Sequence, residues 1–171
     1  PACVIYTSGS TGFPKGVVLE HKGISNLIQS FISCYNTTEN DRILPVTSVG
    51  SASFVGEIFP ILCCGGTLVL AEKTLLLDKN AFLRYVDENR ITIISTVPSM
   101  LMQLNNKDIM PPSLRILLSG GEVLTNSMVD LIKTQLKIYN GYGLTETSIC
   151  NTYCEIYPEC NDLGMSLPVG K

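Results

Sequence analysis

Apolar residues in this chain alternate between two rhythms. Short aliphatic runs at residues 2–6, 17–19, 43–46, 67–71, 91–95 and 114–118 have the composition of strands. Between them lie segments with helical spacing. Ile24, Leu27, Ile28, Phe31, Ile32 and Tyr35 recur every three to four positions, which predicts an amphipathic helix. Residues 54–64 read as a mostly buried helix ended by Gly65-Gly66. Residues 81–88 read as another helix, and a short one follows Pro98. Residues 127–136 predict one more, with Thr125 or Asn126 as its N-cap. Ile138-Tyr139 leads toward a polar stretch. Strand–helix alternation of this kind predicts an α/β fold: a mainly parallel sheet flanked by helices. Such sheets gather ligands at the C-terminal ends of their strands. The loop after Ile5 and the turns at 119–122 and 140–146 follow predicted strands and are expected to line one cleft.

Bulk properties narrow the field. A chain of 171 residues with 45% apolar content and mean hydropathy of +0.27 suits one buried core. Its 12 basic and 15 acidic residues give a net charge of −3 with no basic stripe, so neither nucleic acid nor an anionic membrane is an expected partner. No apolar run approaches the ~20 residues of a membrane span, and no targeting segment is visible. The seven cysteines include no C-x-x-C pair, and there is one histidine, which argues against zinc. They read as small core hydrophobes in a reducing cytoplasm.

The chemistry concentrates in Tyr6-Thr7-Ser8-Gly9-Ser10-Thr11-Gly12-Phe13-Pro14-Lys15-Gly16. Glycines let backbone N–H groups approach an anion, hydroxyls add donors, and lysine adds a point charge suited to phosphate. The spacing is not that of a Walker P-loop. From the residues alone, a polyphosphate cradle and an ordinary surface turn stand level. His21 with Ser8 or Ser10 does not make a hydrolase, because it lies eleven or more residues away, no Asp accompanies it nearby and there is no G-x-S-x-G elbow.

Two motifs carry a resemblance. YTSGSTGFPKG, followed by VVLEH, resembles the phosphate-loop signature of adenylate-forming enzymes: acyl-CoA ligases, luciferase-like enzymes and nonribosomal peptide synthetase adenylation domains. Asn140-Gly141-Tyr142-Gly143-Leu144-Thr145-Glu146-Thr147 resembles their N-x-Y-G-x-T-E block. The synthetase look is strongest in Cys3–Thr7, in Val18 through Gly23 and in the terminal Pro168-Val169-Gly170-Lys171, whereas Leu144 stands where synthetases usually carry Pro.

The resemblance implies that a carboxylic acid reacts with ATP to give an acyl-adenylate, which is then loaded onto the phosphopantetheine of a neighbouring carrier-protein domain. Thr7, Ser8, Gly9, Ser10, Thr11, Gly12 and Lys15 would hold the β- and γ-phosphates. Gly120, Gly121, Glu122, Asn140, Tyr142 and Gly143 would surround adenine. Thr145 would contact the α-phosphate and Glu146 would hold Mg²⁺. From the residues alone, Thr145-Glu146 also reads as a helix start. Lys15, Thr145 and Glu146 form the implied catalytic set.

The acyl pocket implied by the same alignment comprises Ala52, Ser53, Gly56, Thr96, Leu118, Gly120, Gly141, Ile149 and Cys150. Three glycines and an alanine predict a roomy, mostly uncharged space. Synthetases that use α-amino acids carry an Asp at the position of Ala52, to pair with the ammonium. A buried ammonium without a counter-charge is costly, so the expected substrate is not an ordinary α-amino acid.

Residues 1–171 are expected to be a partial adenylation core that lacks the small C-terminal subdomain and its lysine, with little ligase activity alone. A free-standing acyl- or aryl-CoA ligase and an inactive nucleotide-binding module are the alternatives.

Overall fold

Neighbouring apolar residues in each strand go to opposite faces, and two cores result. The structure is a computed structural model that describes residues 1–8, 12–105, 110–160 and 166–170. β1 (Cys3–Thr7) and β2 (Lys15–Leu19) pair as an antiparallel hairpin. Six further strands form one sheet: β3 (Arg42–Pro45), β4 (Thr67–Leu68), β5 (Ile93–Thr96), β6 (Ile116–Gly120), β7 (Lys137–Tyr142) and β8 (Thr152–Ile156). Their order is β4-β3-β5-β6-β7-β8, parallel through β7, with β8 antiparallel at the edge. The α/β expectation holds.

The helices are α1 (His21–Tyr35), α2 (Ala52–Cys63), α3 (Lys79–Glu88) and α4 (Pro98–Leu104). Ile43, Ile93, Ile116 and Tyr139 pack with Phe31 and Tyr35 of α1 and Ile61 of α2. Their neighbours Leu44, Ile94, Leu117 and Ile138 pack on the other face with Phe82, Val86, Leu101 and Ile132. A sheet covered on both faces explains why its strands read as unbroken apolar runs. Helix starts follow local chemistry. The Ser51 hydroxyl accepts from Phe54 N–H at 3.3 Å, the Asp78 carboxylate accepts from Asn80 and Ala81 N–H, and Pro98 opens α4.

Three expectations need correction. The run at 67–71 is extended only over Thr67–Leu68. β8 was not foreseen, because it is a half-buried edge strand without clean alternation. Residues 127–136 do not make a regular α-helix. They form a 3₁₀ turn at Asn126–Met128 and then a series of turns. The Asn105 amide is the cause. It donates to the Ser127 carbonyl at 2.8 Å and accepts from Leu131 N–H at 2.9 Å, standing between two groups that an α-helix would join. Thr125 makes no capping hydrogen bond there.

At the N-terminal end of the parallel strands, Asp41 takes bonds from the Thr92 hydroxyl (2.6 Å), the Thr38 N–H (2.9 Å) and Arg115. Burial alone would raise the Asp41 carboxyl, but these bonds outweigh it and hold it below its ordinary value. The opposite end of the sheet is left for the cleft.

Candidate active site

The hairpin aims the phosphate-loop residues. Thr7 faces Lys15 at its loop end, and Gly12 lies in the left-handed region at φ 83°. Ser8, Gly12 and Lys15 are exposed, and Thr7 is half-buried. Gly9, Ser10 and Thr11 lie outside the described residues.

β2 packs against the 3₁₀ turn Thr145–Thr147, which carries the second motif. The start of α1 presses on the same loop: a methyl at Gly23 would meet Ser148 Oγ at 2.3 Å. The loop itself is tightly wound. The Leu144 carbonyl accepts from Thr147 N–H and Ile149 N–H, both at 3.0 Å. Gly143 lies so close to Ile149 that an added Cβ would fall 1.9 Å from the Ile149 carbonyl oxygen. Ser148 and Ile149 both take positive φ, at 66° and 82°. That is an uncommon conformation for a β-branched residue and marks strain beside the cleft. Glu146 is exposed and Thr145 half-buried.

A cleft of about 480 Å³ opens at the C-terminal ends of β5, β6 and β7, between α1, α2 and this loop. Ser53, Gly56, Thr96, Leu118, Gly120, Gly141, Ile149 and Cys150 line it, as do Gly121, Tyr142 and Gly143. Thr7, Ser8, Gly12, Lys15, Thr145 and Glu146 are not among its lining residues, and three residues expected at the adenine and acyl ends also stand apart from it. Ala52 is not among its walls. Glu122 binds the Ser99 N–H at 3.1 Å and the Ser99 hydroxyl at 3.3 Å, which fastens the β6 exit to the start of α4. Asn140 is 1% exposed and gives its amide N–H groups to the carbonyls of Leu167 and Pro168. Asn140 and Gly120 also belong to strands, so the polar turns are shorter than expected and begin at Gly121 and Gly143.

The glycines do not leave the room expected of them. A Cβ at Gly56 would meet Ile149 Cγ2 at 3.3 Å and Leu27 Cδ2 at 3.5 Å, and one at Gly120 would meet the Gly141 carbonyl oxygen at 3.0 Å. These glycines let walls approach. One wall is aromatic: Tyr35 packs edge-on to Phe31 (4.6 Å between centroids) and Tyr139 (4.8 Å), with Tyr153 at 5.7 Å. The Tyr153 hydroxyl bonds the Cys34 thiol. Burial raises the Tyr35 hydroxyl far above its ordinary value, and burial with the Glu155 carboxylate pushes Tyr139 up to about 12. Both are neutral donors at physiological pH.

Sequence reasoning missed Glu57 as a cleft residue. It is 3% exposed, lines the cleft and accepts from the Thr47 hydroxyl at 2.9 Å and 3.1 Å. Burial pushes its carboxyl up to about 7, against bonds from the Ser95 and Thr47 hydroxyls that pull it down. The available signal was a lone acid inside the apolar segment Phe54-Val55-Gly56-Glu57-Ile58-Phe59.

Among the described residues no three His, Cys, Asp or Glu side chains cluster as a metal cage. Mg²⁺ is commonly held by one or two carboxylates together with substrate phosphates, and the exposed Glu146 carboxylate fits that mode. All seven cysteines are free thiols. No helix among the described residues is long and apolar enough to cross a membrane.

The family model described as AMP-binding enzyme matches residues 1–171. The chain is 42% identical over 171 residues to tyrocidine synthase 1 of Brevibacillus parabrevis, covering 99% of this chain and 15% of that protein. It is 38% identical over 169 residues to gramicidin S synthase 1 of Brevibacillus brevis, with the same two coverages. The chain thus spans about 15% of the length of these curated relatives. The AMPPNP-bound crystal structure of the nonribosomal peptide synthetase FmoA3 (S1046A) superposes with a TM-score of 0.88 at 27% identity, over 100% of this chain and 19% of that one.

Proposed function

Because the chain belongs to the AMP-binding enzyme family, we propose that it forms the nucleotide-binding core of an adenylation domain in a peptide synthetase. The domain activates a carboxylic acid with ATP and passes the acyl group to the phosphopantetheine thiol of a carrier-protein domain. One carboxylate oxygen attacks the α-phosphorus in line. The bond from that phosphorus to the bridging oxygen breaks, and pyrophosphate leaves with the electron pair.

The observation that carries this reading is the packing of β2, which begins at Lys15, against the Thr145–Thr147 turn. Two stretches far apart in the sequence, one carrying Lys15 and the other Glu146, thereby touch, which supports their serving one nucleotide. Both reactants are anionic, so positioning and charge neutralisation supply most of the catalysis. Lys15, Thr7, Ser8 and the Gly12 turn bind the triphosphate tail, together with Gly9, Ser10 and Thr11. Thr145 donates to the α-phosphate. Glu146 would hold Mg²⁺, which neutralises phosphate charge when bound. Gly121, Tyr142 and Gly143 line the adenine end. Thr96, Leu118 and Ile149 shape the acyl end, and Ala52 offers no counter-charge for an α-ammonium.

ATP–pyrophosphate exchange by the full-length protein tests the reading. Label should enter ATP only when an accepted carboxylic acid is present. Mg-ATP binding without exchange for any acid would replace it with an inactive nucleotide-binding module.

A further inference from the structure

Of the three tyrosines in the aromatic wall, two have their hydroxyls occupied. Tyr139 donates to the Glu155 carboxylate at 3.1 Å, and the Tyr153 hydroxyl bonds the Cys34 thiol. Tyr35 is different. It is 7% exposed and lines the cleft, yet among the described residues no hydrogen bond reaches its hydroxyl. Burial first, and then its neighbour Cys150, raise this hydroxyl far above its ordinary value, with no hydrogen bond contributing. It therefore stays a neutral donor. Tyr35 also borders a second cavity of about 490 Å³. Cys150, the group that weighs most on the hydroxyl after burial, lines the cleft and not that cavity.

The helix sets how deep this donor lies. Gly23 near the start of α1 presses on Ser148, and the Tyr35 carbonyl at its end accepts from Arg115 at 3.0 Å. Twelve residues at 1.5 Å put those two points about 18 Å apart. Helical side chains lean toward the N-terminus, and the Tyr35 ring accordingly packs on Phe31, one turn back. Tyr35 thus enters the cleft from the end remote from the Thr145–Thr147 turn. Its stacking partner Tyr139 stands three residues before Tyr142, about 10 Å along β7. An apolar ligand reaching this depth would leave a buried donor unpaired, which is costly. No lysine, arginine or histidine is among the described lining residues, so an anionic tail would find no counter-charge there.

We propose that Tyr35 is a specificity-determining residue that donates a hydrogen bond to an uncharged oxygen acceptor at the end of the acyl substrate remote from its carboxyl group. The inference rests on the ligase reading above. The ring edges of Phe31, Tyr139 and Tyr153 supply an apolar surround for the stem that carries this oxygen.

The test uses the full-length protein and two readouts, pyrophosphate exchange and calorimetric binding of the acid without ATP. The acids are para-substituted phenylpropanoates and octanoates, each ending in methoxy, in the isosteric ethyl group or in a charged aminomethyl group. Methoxy and ethyl differ only by oxygen in place of CH₂. The methoxy acid should have a KM about 10- to 100-fold below that of its ethyl isostere, with kcat little changed, as expected where a missing acceptor strands a buried donor. Tyr35→Phe removes the hydroxyl and keeps the ring, and it should collapse that ratio. The comparison of acids needs no variant, so it stands even if the substitution perturbs folding. Preference for the ethyl or aminomethyl acid, exchange only with acids that lack a distal oxygen, or a ratio unchanged by Tyr35→Phe overturns the proposal and leaves the ligase reading intact. Methoxy-selective binding that is lost in Tyr35→Phe, without exchange for any acid, retains the Tyr35 site and overturns the ligase reading. Neither binding nor exchange overturns both.

Discussion

The Arg115 guanidinium meets the Asp41 carboxylate in two bonds, Nε to Oδ1 at 2.9 Å and Nη2 to Oδ2 at 2.7 Å. The same side chain donates to the carbonyls of Tyr35 (3.0 Å) and Asn36 (3.3 Å) at the end of α1. One residue before β6 thus holds the residue before β3 and the end of a helix. Arg115→Ala would strand a carboxylate that is 4% exposed. We expect a loss of about 2–3 kcal/mol, discounted from the cost of breaking a fully buried pair because the guanidinium is partly solvated. The urea midpoint of this domain's unfolding transition measures it. A wild-type midpoint in Arg115→Ala would contradict the argument.

Lys15 and Glu146 are both exposed, so replacing them should leave the fold alone and disable the chemistry. Lys15→Ala and Glu146→Ala should each reduce exchange by about 10²- to 10³-fold, the range for losing one preorganised charge-stabilising group. Melting temperatures should stay within a degree or two of wild type. Retained exchange in both variants would separate the two motifs from catalysis.

Glu57 gives the folded protein a pH slope of known sign. Its carboxyl rises from an ordinary 4.5 to about 7 on folding. The folded state therefore holds a proton that the unfolded chain releases. Stability is highest below about pH 4.5 as far as this group is concerned, and it declines as pH rises toward about 7, by roughly 3 kcal/mol at most. Asp41 has the opposite sign. Its contribution is present above the ordinary carboxylate range and fades as pH falls through its lowered value. Denaturation midpoints of wild type and Glu57→Gln between pH 4.5 and 7 should diverge, with the variant flatter. Parallel curves would rule the account out.

Gly143→Ala tests the wound loop. Its new methyl would collide with the Ile149 carbonyl at a distance real structures never show, so backbone must move. Displacing Thr145 and Glu146 by an ångström is enough to cost about 10²-fold in rate. The expected signature is a fall in kcat for exchange with Mg-ATP still bound. An unchanged kcat would mean that the loop absorbs the methyl elsewhere.

How much of this was readable beforehand depended on whether the cause was local. α1 and the central strands β3, β5 and β6 announced themselves through spacing and composition, because each buries its own residues directly in the two cores. Residues 127–136 misled because the feature that unwinds them, the Asn105 amide, comes from another element. The cleft followed the same division. Motif spelling pointed to the two stretches that meet where β2 packs on the Thr145–Thr147 turn, but no spelling indicates that Asn140 would be spent on the Leu167 and Pro168 carbonyls or Glu122 on Ser99. Glu57 was visible as a letter, yet its importance lies in what faces it.

The contact of Gly23 with Ser148 joins the first and last portions of the described chain. Closing it requires most of the intervening polypeptide to be in place, and such non-local closures are slow and come late in folding. During ribosomal synthesis the hairpin would emerge long before its counterpart. Catalytic competence would then be a final checkpoint of maturation, and a chain truncated before residue 148 would leave its early half waiting for a surface that never arrives.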